Sequence, residues 1–444
     1  MDKTEGSVVA VMGEMTPLAV ASSSEEIVIQ LLYQLIIILI ITRIFVWIGR
    51  TFLRQTAVAG EILAGIVLGP SLIGMLFPEL MGEIFSKESS IIFIGIAQIG
   101  LILLMFEIGL EFEFGSKLKE SRFAVAMISI AGIVLPFVVG FFAAGWLWSS
   151  LAEPRPDKLI FQMFFALALS ITAIPVLGRI FMELGMSHTR TAAITIGAAA
   201  IDDILGWLLL GVISTLVVSN FNATYFIFNM VAIVVYVLLM FIVAKPLLLR
   251  WLSTELKKDN KLSHKTIAYI IIFLFLSSTI TSHLGIFALI GSFTIGVALH
   301  ENRQFVALWK ERIGSLVYVF FLPIFFTYTG LRTDIGSLNG PDEWLMCLLV
   351  CLLAFSTKFG GAYIASRLLG ESHRSSATIG ISMNTRALME LIVLNIGYDL
   401  GVLPKNIFTM LVIMAILSTF IATPLIRRLM TQTNHKKQQS DEMM

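Results

Sequence analysis

Residues 198–207 read AAAIDDILGW and place two adjacent carboxylates, Asp202 and Asp203, inside an apolar run from Ala192 to Val218. A run of this length crosses a bilayer as one helix, since about 20 residues suffice. An ionised carboxylate in the membrane centre is costly, and two neighbouring ones also repel each other. Intramembrane carboxylates mark ion pathways and proton relays. The segment therefore predicts an ion or proton site in a transport protein.

The composition is that of an integral membrane protein with many spans. Of its 444 residues, 57% are hydrophobic and 14% are charged, against about 25% charged in soluble proteins. Mean hydropathy is +0.89. The net charge of +1 and the scattered basic residues do not favour a nucleic-acid partner. Cys347 and Cys351, one helical turn apart, are expected to pack in the core rather than to bind metal.

Apolar runs bounded by charged or turn-forming residues predict an all-α polytopic protein with about thirteen transmembrane helices. Their approximate limits are 27–50, 57–78, 91–112, 123–149, 159–184, 190–218, 224–250, 266–284, 286–300, 313–331, 343–369, 376–400 and 405–428. Lysine and arginine concentrate in the loops after the odd-numbered helices and in the tail 429–444. The positive-inside rule then puts the C-terminus in the cytoplasm and segment 1–26 on the opposite side of the membrane. We expect that membrane to be the plasma (inner) membrane.

The fifth predicted helix carries a polar, proline-containing stretch, SITAIPVLGR, at 170–179. Pro175 removes a backbone donor, so carbonyls near Ser170 lose their partners, and Thr172 adds a hydroxyl. The plainer interpretation is a proline kink, which is common in membrane helices.

The twelfth predicted helix is interrupted by polar residues in GISMNTRALMEL, 380–391. Asn384 and Thr385 precede Arg386, and Glu390 lies four residues further on, so the last two share a helix face and can pair. The alternative is a structural ion pair that holds two helices together.

Lys358 lies too deep in the eleventh predicted helix to reach the membrane surface easily. It therefore needs an anionic partner, and Asp202 or Asp203 is the candidate. A fixed salt bridge without a role in transport is the alternative.

Predicted helices four to six and eleven to thirteen form two similar groups of three. In each of these groups the middle helix is the interrupted one. Their offset is seven helices, and an odd offset inverts the second unit in the membrane. Inverted repeats with two broken crossing helices, and a site between them at the midplane, are typical of secondary transporters. Helix seven would link the halves.

Four segments and one further residue of the chain resemble the monovalent cation:proton antiporter family 2, which includes NapA-type and KefC-type exchangers. They are VAGEILAGIVLGP at 58–70, GLE at 109–111, AIDD at 200–203, TGLR at 329–332, and Lys358. The resemblance covers nearly all of 27–428 and implies an NhaA/NapA-like antiporter fold. It implies core helices at about 123–218 and 343–428, dimer or panel helices at about 27–112 and 266–331, a linker helix at about 224–250, and a homodimer.

The resemblance also implies roles for individual residues. Asp203 would be the indispensable ion and proton carrier, Asp202 would pair with Lys358, and Thr172 and Pro175 would belong to the helix break. The aspartate pair favours sodium, whereas the segment Asn384–Arg386 is similar to potassium-type relatives.

The predicted function is therefore exchange of a monovalent cation, sodium first, for protons by alternating access. A potassium/proton antiporter and a sodium-coupled solute symporter remain alternatives. The chain has no segment typical of a channel filter and no His-Glu-x-x-His or Gly-x-Ser-x-Gly motif. We therefore expect neither an enzyme nor a cofactor.

Overall fold

The structure is a computed structural model of the 444-residue chain. It describes residues 17–441 except 53–54, 56, 86, 112–121, 173–176, 178–179, 182–185, 187–188, 219–222, 260, 285–286 and 387. Within these ranges the regular structure is helical.

Eighteen α-helices follow one another along the described chain. They are α1 (Pro17–Thr51), α2 (Ala57–Leu68), α3 (Ile73–Leu76), α4 (Pro78–Ile84), α5 (Lys87–Glu111), α6 (Arg122–Ser149), α7 (Lys158–Ser170), α8 (Arg190–Val218), α9 (Ala223–Leu239), α10 (Lys245–Asp259), α11 (His264–His283), α12 (Ala288–Leu299), α13 (Arg303–Trp309), α14 (Leu322–Arg332), α15 (Pro341–Leu368), α16 (His373–Ser382), α17 (Leu388–Asp399) and α18 (Lys405–Asp441). Three π-helical segments, Met240–Ala244, Lys310–Gly314 and Val317–Phe321, and a 3₁₀ turn at Ile335–Ser337 complete the set.

Eight helices in the described ranges are long and apolar enough to cross a membrane, or nine if one bent pair counts as a single span. That pair, Arg303–Gly314 and Val317–Ser337, bends by 45°. The protein is therefore a multi-pass integral membrane protein. Other apolar helices have 12 or 13 residues, as in α7 and α12. At about 1.5 Å per residue they reach about 18–20 Å and cannot span the bilayer alone.

Two sets of helices pack closely among themselves. In the first, α6 lies against α7, α8 and α15; in the second, α5 packs on α12 and α14 packs on α2. Glycines allow the closest approaches, because a Cβ on Gly65 would lie 2.7 Å from the Cα of Thr327 and one on Gly296 2.8 Å from the Cα of Gly109. Small residues let membrane helices approach in this way. This explains the glycines of the segment 58–70.

Two predicted helices, 159–184 and 376–400, are interrupted in the middle of the protein. The first ends as α7 at Ser170 and continues in extended backbone at Ile171. The second ends as α16 at Ser382, and α17 begins only at Leu388. The first break thus begins five residues before Pro175, which lies outside the described residues. The break begins where the sequence predicts that carbonyls lose their partners, and the end of α7 is capped by side chains that are described below.

Candidate functional site

Asp202 is the central carboxylate of the site and lies on α8 with 1% of its surface exposed. Its Oδ1 accepts a hydrogen bond from Ser129 Oγ of α6 at 2.6 Å. Its Oδ2 accepts one from Thr172 Oγ1 at 3.0 Å and one from Lys358 Nζ at 2.7 Å. Three donors from three different segments therefore hold this carboxylate in place, as a buried charge requires.

Lys358 of α15 is fully buried and forms an ion pair with Asp202. Its Nζ also donates to the backbone carbonyl of Ser170, the last residue of α7. Of the two aspartates that the sequence offered as partners, the structure joins Lys358 to Asp202. The lysine thus connects α15, α8 and the end of the first broken helix.

Arg386 lies in the second break, between α16 and α17, and its side chain reaches the end of α7. Its Nη1 donates to the carbonyl of Ala168 at 2.7 Å and its Nη2 to that of Leu169 at 2.6 Å. Its contact with Glu390 is longer, 3.4 Å from Nη1 to Oε2. The sequence suggested an Arg386–Glu390 pair, but the stronger contacts of the arginine are with the backbone of another helix.

Arg386 and Lys358 together bind the last three carbonyls of α7, those of Ala168, Leu169 and Ser170. The last four carbonyls of a helix have no partner within it, and the C-terminus carries a partial negative charge. Two buried cations therefore satisfy this helix end and compensate its dipole. This explains how α7 can end inside the protein without water.

Asp203, the next residue on α8, is also buried, with 3% of its surface exposed. Successive side chains of an α-helix point about 100° apart, so Asp203 does not share the environment of Asp202. The pair consequently offers one carboxylate bound to Lys358 and a second that faces another direction.

The two breaks meet at Thr172. Its Oγ1 lies 3.0 Å from both Asp202 Oδ2 and the carbonyl of Met383 in the second break. A hydroxyl has one proton to donate, so Thr172 serves these two acceptors alternately. Beside it, Asn384 donates through Nδ2 to the carbonyl of Gly380 at 3.1 Å. Its buried Oδ1 accepts no hydrogen bond within the described chain.

The buried ionisable groups at the crossing do not balance in charge. Asp202, Asp203 and Glu390 are acidic, whereas Lys358 and Arg386 are basic, and all five are at most 3% exposed. When all are ionised, the cluster carries a formal charge of −1. A single proton or monovalent cation therefore neutralises it.

Ser129 and Thr419 belong to this network although sequence reasoning did not select them. Ser129 binds Asp202, and Thr419 of α18 accepts from the amide of Arg386 at 2.9 Å and donates to its carbonyl. Serine and threonine in membrane helices commonly bond their own preceding turn. Nothing in their sequence neighbourhood distinguishes these two from the many that do so. Thr385, which the sequence indicated, makes a local bond of this kind, to the carbonyl of Ser382 at 2.8 Å.

We expect Arg386→Gln to lower the free energy of unfolding by about 3 kcal/mol or more, because removing one partner of a buried ionic group leaves the others unsatisfied. Arg386→Lys should recover part of the loss, since it keeps the charge but not the two-pronged geometry. Thermal unfolding in detergent measures this, with the exposed Arg367→Gln as the control. Equal melting temperatures for Arg386→Gln and the control would contradict the capping role.

A cavity of about 440 Å³ lies beyond the crossing, between the two sets of helices. Its polar lining includes Gln98 of α5, Ser214 of α8, His283 of α11, Tyr328 of α14, and Asn395 and Asp399 of α17. Ser214 is eleven residues, about 16 Å, along α8 from Asp203. The cavity therefore lies on one side of the carboxylate pair.

Interrupted membrane helices that cross at a buried carboxylate–lysine cluster define the class of ion-coupled secondary transporters. The chain belongs to the sodium/hydrogen exchanger family, whose transmembrane region matches residues 18–432.

Proteins that are similar in sequence or in structure support this assignment. The chain is 36% identical to the Na(+)/H(+) antiporter NhaS4 of Synechocystis over 392 residues, which are 87% of this chain and 95% of the relative. It is 30% identical to the K(+)/H(+) antiporter 1 of Saccharomyces cerevisiae over 404 residues, or 89% of this chain but only 46% of that relative. The structure of the sodium proton antiporter MjNhaP1 from Methanocaldococcus jannaschii shares the fold, with a TM-score of 0.60, 16% identity, and coverage of 91% of this chain and 97% of that one. The protein is accordingly a cation/proton exchanger.

Proposed function

We propose that the protein exchanges sodium for protons and that Asp203 is the carboxylate that carries them. The observation that carries the proposal is the formal charge of −1 on the buried cluster at the crossing. A proton or a sodium ion neutralises it equally well, and both cannot bind one carboxylate at once. Competition for this site couples the two flows.

Asp202 and Lys358 form the fixed half of the proposed site. Three hydrogen bonds hold the carboxylate of Asp202 in place. A sodium ion prefers oxygen ligands, and Thr172 and the Met383 carbonyl supply a hydroxyl and a carbonyl beside Asp202, the residue that precedes Asp203. The buried Oδ1 of Asn384 is a further oxygen in the same break.

The division into moving and stationary parts follows the two sets of helices. We propose that the core comprises about 123–218 and 343–428, that the panel comprises about 27–112 and 266–331, and that 224–250 links them. Counted with the interrupted and short helices, this division has thirteen membrane segments. We propose that they form two inverted repeats and that the C-terminus lies in the cytoplasm. Polar contacts bridge the proposed parts at one end, where Arg332 pairs with Asp399 at 2.6 Å and Asn395 donates to Thr329 at 2.8 Å. When the core moves relative to the panel during alternating access, these contacts must either break or move with the core.

Proton flux driven by a cation gradient tests the function directly. Purified protein in liposomes that contain a pH-sensitive dye receives sodium, potassium or lithium on the outside in turn. We expect sodium to release protons at the lowest concentration. A response to potassium alone would assign the protein to potassium/proton exchange, for which the similarity to the yeast K(+)/H(+) antiporter 1 is the supporting observation. Flux that requires an organic solute would indicate a symporter.

The ion pair of Lys358 leads to a prediction about voltage. Exchange of one sodium ion for one proton at Asp203 would be electroneutral. If Lys358 also gives up its proton when sodium binds, two protons move for each sodium ion, and transport carries net charge. We expect wild-type flux to respond to an imposed membrane potential, and Lys358→Gln to lose most of that response. The measurement compares both proteins at potassium-valinomycin potentials of either sign. Wild-type flux that ignores the potential would make exchange electroneutral and Lys358 a structural partner.

We further propose a homodimer in which α1 contributes the contact. Val28, Leu32, Ile36, Ile40 and Ile44 form one row at i, i+4 spacing and are each about half exposed. A moving core needs a stationary support, and two panels in contact provide it. We expect Ile36→Trp, which disturbs the row, to shift the molecular mass in nanodiscs from dimer to monomer. A wild-type protein that is monomeric and fully active would contradict the proposal.

A further inference from the structure

A second cavity, of about 620 Å³, shares none of its described lining residues with the ion site and lies between the proposed linker helix and the α11–α12 pair. Its wall is apolar and includes Met240, Ala244, Phe273, Ile280 and Ile295. Its volume is within the range of about 300–1,000 Å³ that is usual for small-molecule sites. The proposed ion-exchange function gives this groove no role.

The backbone of the linker helix shapes the groove. Met240–Ala244 is a π-helical segment between α9 and α10, and both its first and its last residue line the cavity. A π-bulge inserts one extra residue into the helix and is frequently found at functional sites. The linker span Ile227–Lys257 is also the least buried of the eight candidate spans, with 17% of its most apolar stretch buried. The groove therefore opens towards the surface that the bilayer covers.

One end of the groove is aromatic. Trp251 lines it and lies 6.0 Å from the ring of Tyr269 and 6.3 Å from that of Phe273, in edge-to-face geometry. Tyr269 is 51% exposed. Tryptophan and tyrosine concentrate at the level of the lipid headgroups, where an apolar ring meets a polar surface. The aromatic end therefore marks the interface, and the aliphatic remainder lies at the depth of the acyl chains.

The same end is basic. Arg250 precedes Trp251, Lys265 lies one turn before Tyr269 on α11, and Lys257 and Lys261 are in the segment between them; all four are exposed. Two acidic residues lie in this part of α10: Glu255, which is half-buried, and Asp259 at the end of the helix. Lys245, deeper on the linker, is paired with Glu301 at 2.7 Å and so adds no net charge. Positive charge thus accumulates beside the aromatic end of an apolar groove.

We propose that this groove binds an anionic phospholipid, with an acyl chain along its apolar wall and the phosphate headgroup at Arg250 and Lys265. Each basic residue at a membrane surface contributes about 1 kcal/mol towards an anionic lipid. A second copy of this chain fits the groove poorly, since a twofold contact here would bring two basic segments together. A zwitterionic lipid would fill the apolar part but gain little from the basic end.

Lipid retention by the purified full-length protein tests the proposal. Delipidated protein is titrated with phosphatidylglycerol or with phosphatidylcholine of the same acyl chains, and native mass spectrometry counts the lipids bound. Two variants address the two parts of the site. The headgroup variant carries both Arg250→Gln and Lys265→Gln, and the groove variant carries Ala244→Phe, which fills the groove. The matched control is Arg367→Gln with Arg428→Gln, which removes two exposed basic residues elsewhere.

We expect phosphatidylglycerol to bind the wild type and the control in preference to phosphatidylcholine. The headgroup variant should bind it about tenfold or more weakly, as the loss of two basic contacts implies. The groove variant should lose both lipids from this site. Equal retention of the two lipids, or unchanged retention in both variants, overturns the proposal. A dimer that Ala244→Phe dissociates whether lipid is present or absent also overturns it, because the groove would then be a protein interface.

Discussion

Asp203→Asn is expected to reduce cation-driven proton flux at least about 100-fold while the protein still inserts and folds. An amide cannot release a proton or carry a negative charge, so the substituted site has nothing for which sodium and protons compete. The variant has nearly the same shape and removes a buried charge, which costs free energy to bury. The melting temperature should therefore be equal to or higher than that of the wild type.

The matched control for Asp203→Asn is Asp157→Asn. Asp157 is the N-cap of α7, where its side chain accepts from the amide of Ile160 at 3.0 Å, and asparagine caps helices about as well. The same chemical change at this position should leave both flux and stability nearly unchanged. Near wild-type flux in Asp203→Asn, measured in the same liposomes, would remove Asp203 from the proposed mechanism.

The second large effect is expected in stability, at the ion pair of Lys358 and Asp202. Lys358→Met leaves a fully buried carboxylate without its cation and the Ser170 carbonyl without its donor. Breaking one side of a buried pair costs about 3–5 kcal/mol. The double variant Asp202→Asn with Lys358→Met removes both charges and should recover most of that loss. Melting temperatures of the two single variants, the double variant and the wild type form the cycle.

The pair of Lys405 and Asp334 provides a control with the same separation. It also spans 2.7 Å, but its side chains are 50% and 21% exposed. Exposed ion pairs contribute about 0–1 kcal/mol, so Lys405→Met should have a small effect. A Lys358→Met variant as stable as Lys405→Met, or a double variant no more stable than Lys358→Met, would show that burial does not determine the energetics of this pair.

The positions of the helix breaks show how far local sequence rules reach. Pro175 indicated a break in the first helix with free carbonyls near Ser170, and α7 ends at Ser170. The second helix breaks at Asn384–Arg386 without any proline. The end of α16 is closed locally, since the side chains of Asn384 and Thr385 donate to the carbonyls of Gly380 and Ser382. The end of α7 inside the protein depends on the distant side chains of Arg386 and Lys358, which take up its free carbonyls. Propensities along the chain contain no information about such partners.

The sequence by itself determined the class of protein and the chemistry of the site. Hydropathy alone required many membrane spans, because lipid offers no partner for an exposed peptide group. The cost of charge in a membrane made Asp202, Asp203, Lys358, Arg386 and Glu390 stand out individually. Only the tertiary structure decided how they are arranged: that Lys358 contacts Asp202, that Arg386 binds the end of α7 more closely than Glu390, and that Ser129 belongs to the network. The physical reason is that burial cost belongs to each residue, whereas ion pairing and capping depend on distances between segments 30 to 218 residues apart in the sequence.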